Sequence, residues 1–225
     1  MRRLLKVFVA ILMVLTLVPF SLSAEETSDF VEIKQSLIEI GVDSKKADEL
    51  TVKVMKGELL DSMKNEYDYI LPTRTIDFEH GIIEDVYEYP DGSIKKVSLI
   101  IGPEVLTGTI TGGNYQSGSY YYSWKNAKVL ATWAVVTASF YATFEGTPTS
   151  GKIYDVWDEG IIVAGGTFSN ESLTIVRSEA TQSDEALAQL KFTGSVAGGF
   201  GQATFYLRLH VPYGAAPSAS FSVLN

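Results

Sequence analysis

The sequence contains no cysteine and only two histidines. The first absence removes thiol catalysis, thiolate metal sites, disulfide staples and lipid attachment through an N-terminal cysteine. The second removes the paired-histidine spacing of a zinc hydrolase, and no HExxH motif is present. No metal, cofactor or catalytic residue is expected. Positive charge is also scarce: 18 Lys and Arg stand against 27 Asp and Glu, for a net charge of −9. A chain of that sign repels nucleic acid and anionic membranes, so neither is an expected partner. The imbalance is concentrated. Residues 25–105 carry 19 acidic and 9 basic side chains, whereas residues 106–225 carry 8 and 6.

Long apolar runs are few, and one opens the chain. In "MRRLLKVFVAILMVLTLVPFSLSAEE", Arg2, Arg3 and Lys6 precede an apolar stretch from Val7 to Phe20, and small residues follow. This is the pattern of a secretory signal peptide. As a helix the stretch reaches about 21 Å, short of the ~30 Å hydrocarbon core. Cleavage after Ser23 sets small Ser21 at the required place; cleavage after Ala24 would set Leu22 there. The expectation is a leader over 1–24 and a secreted, extracellular product with no stable transmembrane segment. No further span or wall-sorting motif follows in "PSASFSVLN".

Residues 29–63 have helical periodicity. Phe30, Ile33, Leu37 and Ile40 share one face. Ser28 or Asp29 can cap the start, and Gly41 can end the helix in the left-handed conformation. Asp43 or Ser44 caps a second helix with Ala47, Leu50 and Val54 on its inner face. Gly57 interrupts it, and "ELLDSM" adds a turn or two. Two such helices with a short link predict a helical hairpin. Residues 73–101 change period. Ile83, Asp85, Tyr87 and Tyr89 alternate with Ile82, Glu84, Val86 and Glu88. Pro90-Asp91-Gly92 then supplies turn chemistry before Ile94, Val97, Leu99 and Ile101, which predicts a β-hairpin.

From residue 105 onward charges thin out and strand-like runs recur: 105–111, 118–124, 128–144, 152–157, 161–168, 172–178, 186–193, 202–211 and 217–224. "GGN", "EGTPTSG", "DEG", "SNES", "GG" and "YGAAPS" read as the turns between them. Such spacing predicts an antiparallel β-sandwich over 105–225, behind an acidic α+β region over 25–104. The fold class is therefore α+β. The second apolar run, "VLATWAVVTASFYATF" over 129–144, is too short for a helical span. It is rich in strand formers. It predicts one long bent strand, or two strands meeting at a bulge near Thr137. Its even positions, Leu130, Ala134, Val136, Ala138, Phe140, Ala142 and Phe144, form the more apolar face. Both faces are apolar enough to place it centrally.

The order of "KGELLDSMKNE", a "YPDGS" hairpin and a cysteine-free tail with "ATWAVVTASFYATF", behind a signal peptide, resembles secreted Gram-positive bacterial proteins with no assigned activity. The resemblance implies secretion and the two-part layout, and carries no site residue.

His80 and His210 are expected to be ordinary strand-edge histidines. "GSVAG" at 194–198 is not the G-x-S-x-G nucleophile elbow. In "YDVWDEG", Asp155 and Asp158 flank Trp157, with Glu145 across one turn; a glycosidase would need two such carboxyls facing each other. Solvated acids at a hairpin end are the simpler reading. The strongest binding candidates are aromatic: Tyr115, Tyr120, Tyr122 and Trp124 in "GGNYQSGSYYYSWKN", with Trp157. A row of such rings has an apolar body and polar rim suited to a sugar or peptide. The expected function is a secreted, non-enzymatic binding or interaction protein whose partner is an extracellular glycan, envelope component or protein. A membrane-active antibacterial effector and a glycan hydrolase are the alternatives.

Overall fold

The computed structural model describes residues 24–67, 70–77, 82–100, 122–196 and 202–224. Most of these are antiparallel β, in two sheets, with two helices near the N-terminus. Helix α1 spans Ala24–Glu39 and α2 spans Ser44–Met55. The helix runs unbroken from Ala24, so Ser28 and Asp29 lie inside it and do not cap it. Glu25 and Glu26 are adequate helix formers, and nothing before Ser28 breaks the turn. Gly41 takes φ +109° and lets the chain reverse, and the Asp43 carboxylate accepts from the Lys45 and Lys46 N–H groups to cap α2. Ile33, Leu37, Ala47, Leu50 and Val54 are buried, one stripe from each helix.

Strands β1 (Thr73–Asp77), β2 (Ile82–Glu88), β3 (Ile94–Ile100), β4 (Tyr122–Trp133), β5 (Val136–Thr147) and β6 (Ser150–Val163) form one sheet in sequence order. Strands β7 (Gly166–Arg177), β8 (Ala186–Val196), β9 (Gln202–Val211) and β10 (Ser218–Leu224) form the second. Strands β4 and β5 contact β9, β6 contacts β8, and β10 contacts β3. Phe140, Phe144, Val129 and Ile153 from the first sheet and Leu190, Phe192, Leu207 and Leu209 from the second belong to one buried cluster. Because β3 pairs with β4, the hairpin read at 82–100 shares a sheet with the strands that follow residue 122.

The apolar run at 129–144 is neither one long strand nor a pair meeting at a bulge. Trp133 pairs with Val136, so Ala134 and Val135 form a two-residue turn between β4 and β5. Ala134 sits at φ +50°, a conformation in which Asn or Gly is usual. Tertiary burial overrides that preference, since Ala134 and Val135 are enclosed by the core. The turn also breaks the expected parity. The inward residues of β4 are odd-numbered (Ala127, Val129, Ala131, Trp133), and those of β5 are even-numbered (Ala138, Phe140, Ala142, Phe144). Leu130 therefore lies on the outer side.

Two other expected turns are bulges inside strands. "DEG" falls within β6 and "SNES" within β7, where the pairing registers shift and Asp158 and Asn170 take φ +56° and +55°. Conversely, the run 161–168 is split by a turn at Ala164-Gly165. Asn and Asp tolerate the left-handed region, so the same residues serve a bulge or a turn. The predicted strand 105–111 lies outside the described residues, as does most of 118–124.

The registers Lys95↔Trp133, Trp133↔Val136 and Val136↔Val163 bring three turns to one end of the sheet: 89–93, 134–135 and 164–165. The helices close this end. Ser36 Oγ donates to the Ala134 carbonyl at 3.1 Å, and Ile33 lies against Gly165. The segment after α2 is tied to the β2–β3 turn by reciprocal bonds. Asp61 N donates to Asp91 Oδ2 at 3.0 Å, and Asp91 N donates to Asp61 Oδ2 at 3.1 Å. Ser93 gives both its N–H and its hydroxyl to Asp91 Oδ1, and Ser62 N donates to Ser93 Oγ.

Burial alone would push the Asp91 carboxyl up. The hydrogen bonds from Ser93 and the Asp61 backbone, with the Lys53 charge, outweigh it and hold the group below its ordinary value. A depressed folded-state value contributes stability that is complete above the unfolded value of about 3.9 and lost as pH falls through the lower folded value. Asp91→Ala is expected to lower stability by about 3 kcal/mol at pH 7, the cost of orphaning several donors to one carboxylate. In urea titrations the gap between the variant and the parent should narrow at the acid end. An unchanged gap at pH 3 would show that the charge of Asp91 is not what holds the turn.

Candidate functional site

The structure separates the aromatic candidates. Tyr115 and Tyr120 lie outside the described residues, as does His80. Tyr122 and Trp124 lie on the inner side of β4, because a bulge at Lys125-Asn126, with Asn126 at φ +57°, sets Trp124 opposite inward-facing Phe144. There they form a packed group at the end away from the helices. The Tyr122 and Trp124 rings stack at 4.9 Å, and Trp124 meets Phe144 edge to face at 4.9 Å. The Tyr122 ring covers Gly146, where any β-carbon would overlap it, and its hydroxyl donates to the Ala215 carbonyl at 3.1 Å. Burial, and then the nearby Glu185 charge, push the Tyr122 phenol well up, so it stays protonated as that bond requires.

Trp157 faces the other way. It pairs directly with Tyr141, an outward residue of β5. The two rings lie 6.2 Å apart with their planes inclined by only 20°, so both are nearly parallel on the outer side of the six-stranded sheet. Both are partly exposed. Lys128, paired with Tyr141 from β4, sets its ammonium 5.8 Å from the Tyr141 centroid. Ser139 and Thr143 flank Tyr141 along β5, and exposed Asp155 pairs with Thr143. Toward the open end, the Tyr154 hydroxyl donates to the Glu145 carboxylate, and Lys152 reaches Glu179 at 2.7 Å. Toward the closed end the same sheet side meets a shallow groove against α1, where Val31 and Ile162 are 64% and 62% exposed between Glu32 and Glu39.

The outer side thus offers two nearly parallel rings bordered by hydroxyls, one cation and one carboxylate. Flat apolar rings with polar neighbours can stack on the C–H face of a sugar while the rim bonds its hydroxyls. Sequence reading found Trp157 but missed Tyr141 and Lys128; the parity of β5 was legible, whereas the Lys128↔Tyr141 and Tyr141↔Trp157 pairings were not. Two of the three acids already have hydrogen-bond partners and the third lies at an irregular point of the strand. Glu145 is engaged by Tyr154, Asp155 accepts from the Val156 N–H, and Asp158 sits at a bulge. Among the described residues, no group of three or more His, Asp or Glu side chains is placed to hold a metal ion. No described helix is long and apolar enough to cross a membrane. His210 lies next to the end of β9, as expected, and β9 is an interior strand of the second sheet.

No family profile matches this sequence, and no curated protein matches it. One solved structure is similar: a hypothetical protein, lmo2686, from Listeria monocytogenes EGD-e, at 18% identity and a TM-score of 0.36, over 63% of this chain and 94% of that one. A likeness this distant carries no argument about fold or function.

Proposed function

We propose that this chain is a secreted binding protein, built as a β-sandwich sealed at one end by a helical hairpin, which takes an extracellular glycan on the outer side of its larger sheet. The observation that carries this reading is the near-parallel Tyr141–Trp157 pair, exposed on a sheet flank among Lys128, Ser139, Thr143 and Asp155. The leader-like pattern of residues 1–24 and the acidic composition support the extracellular setting. A membrane-active role for 129–144 draws less support, since freeing the β4–β5 hairpin would break its ladders to both β3 and β6. Hydrolysis through Glu145, Asp155 or Asp158 draws less support, since Glu145 and Asp155 are already engaged by Tyr154 and by the Val156 N–H.

The test is binding of the mature protein to purified cell-wall fragments and to a panel of neutral oligosaccharides, followed by tryptophan emission. Tyr141→Ala and Trp157→Ala are each expected to weaken binding by about tenfold or more, the loss of roughly 1.4 kcal/mol of contact. Binding that survives both substitutions undiminished would overturn the assignment of the face. Failure of every glycan to bind would overturn the ligand class.

A further inference from the structure

The outer side of the smaller sheet carries a second arrangement, unrelated to the aromatic pair. His210 stands in β9 between two hydrogen-bonding partners. Its Nδ1 lies 2.8 Å from Glu185 Oε2, and its Nε2 lies 2.8 Å from Ser220 Oγ. The three residues come from three neighbouring positions of the sheet. Glu185 immediately precedes β8, His210 is opposite Leu187 of β8 and Ser218 of β10, and Ser220 is two residues further along β10. The chain of bonds therefore crosses the sheet diagonally. A hydroxyl, an imidazole bonded to it through one nitrogen, and a carboxylate on the other nitrogen are the parts of an activated serine. That order of groups is recognised by geometry and not by sequence spacing.

The surroundings suit the same chemistry. Arg208 is the register partner of Ser220, so its guanidinium lies on the same side of the sheet as the hydroxyl. It is fixed there by Nε donating to Gln189 Oε1 at 2.9 Å and by an Nη1 bond to Ser222 Oγ at 3.2 Å. A fixed cation beside the nucleophile can meet an oxyanion as it develops. Glu185 is itself held, because Arg177 Nη1 donates to its backbone carbonyl at 2.7 Å while Arg177 Nη2 pairs with Asp184 at 3.5 Å. The site is open to solvent, with the His210 and Glu185 side chains 24% and 50% exposed, so small acyl groups reach it without displacing the core.

We propose that Ser220 is a nucleophile toward small, unhindered acyl esters, with His210 as its base and Glu185 as a positioning residue. The Ser220 oxygen bonds to the ester carbonyl carbon while its proton passes to His210 Nε2. Collapse breaks the bond between that carbon and the alcohol oxygen, and the alcohol leaves with the proton from His210. Water, deprotonated in turn by His210, then releases the acid and regenerates the serine.

The probes are a fluorophosphonate and p-nitrophenyl acetate, applied to the mature protein. Mass mapping of the 218–224 strand compares Ser220 with Ser218 and Ser222 in one sample, so it needs no variant. Preferential modification of Ser220 is expected. His210→Ala should reduce that labelling by about a hundredfold or more. Glu185→Gln should lower it, and Glu185→Asp, which keeps a carboxylate, should restore part of it. Thermal melts confirm that each variant is folded. Equal labelling of the three serines, or labelling unaffected by His210→Ala in a folded variant, overturns the proposal.

Discussion

Trp133→Ala is expected to destabilise the protein by about 4 kcal/mol, within the range for deleting a buried aromatic side chain. Trp133 is 4% exposed and stands at the closed end, where three parts of the chain meet. Its ring contacts Phe205 at 5.5 Å and Phe221 at 5.9 Å, both from the second sheet. Its indole Nε1 donates to the Ser62 carbonyl at 2.7 Å, from the segment that follows α2. One side chain thus joins the large sheet, the small sheet and the helical segment. A small cavity of about 90 Å³ already adjoins it, lined by Met63, Tyr89, Phe221 and Val223 among others. The neighbours are anchored by their own bonds, so the space left behind would not collapse fully. Trp133→Phe separates the terms. It keeps most of the apolar contact, loses the N–H, and should cost about 1–2 kcal/mol for the orphaned carbonyl. The check is a pair of urea titrations. If the alanine variant costs less than about 1 kcal/mol, Trp133 does not join these parts.

The second large effect belongs to a residue without a side chain. At Gly151 a β-carbon would stand 2.5 Å from the Val211 carbonyl oxygen and 2.8 Å from that of Pro212. Both obstacles are backbone, so no rotamer change relieves them. Gly151 is also held from the other side, since its carbonyl accepts from Ala180 N at 2.7 Å. Gly151→Ala therefore has to move β6 or the end of β9, at an expected cost of about 3 kcal/mol. Gly146→Ala, on the paired position of β5, provides the contrast. There the obstacle is the Tyr122 ring, which can rotate away. That variant should retain more stability than Gly151→Ala while losing the Tyr122 bond to Ala215. Thermal melting of both variants checks the order, and the reverse order would contradict the close approach at Gly151.

Local chemistry in the sequence was legible where it depended on adjacent residues. The helical stripes, the cap at Asp43, the left-handed Gly41 and the Pro90-Asp91-Gly92 turn are all decided within a few positions. The alternation of β8 and β9 is equally plain. What was not legible is what depends on register. Ala134-Val135 carries no turn residue, so its reversal is imposed by burial, and missing it inverted the parity read for the preceding strand, β4. Asp158 and Asn170 signal an irregular backbone, but not whether the strand ends there or continues past a bulge. The Tyr141–Trp157 platform needs the β5–β6 pairing, and the Glu185–His210–Ser220 chain needs two pairings at once. Neither spacing in the sequence nor residue type supplies those.

Within each sheet every strand pairs with its neighbour in sequence, so most closures made during folding are local and cost little entropy. The helices are the exception. They are synthesised first, yet the surface that receives them is made by turns at 134–135 and 164–165. The stripe of Ile33, Leu37, Leu50 and Val54 must therefore wait, uncovered, until more than a hundred further residues have been added. A nascent or truncated chain that stops before Ala134 is left with that stripe bare, and its aggregation would begin at the N-terminus and not at the strands.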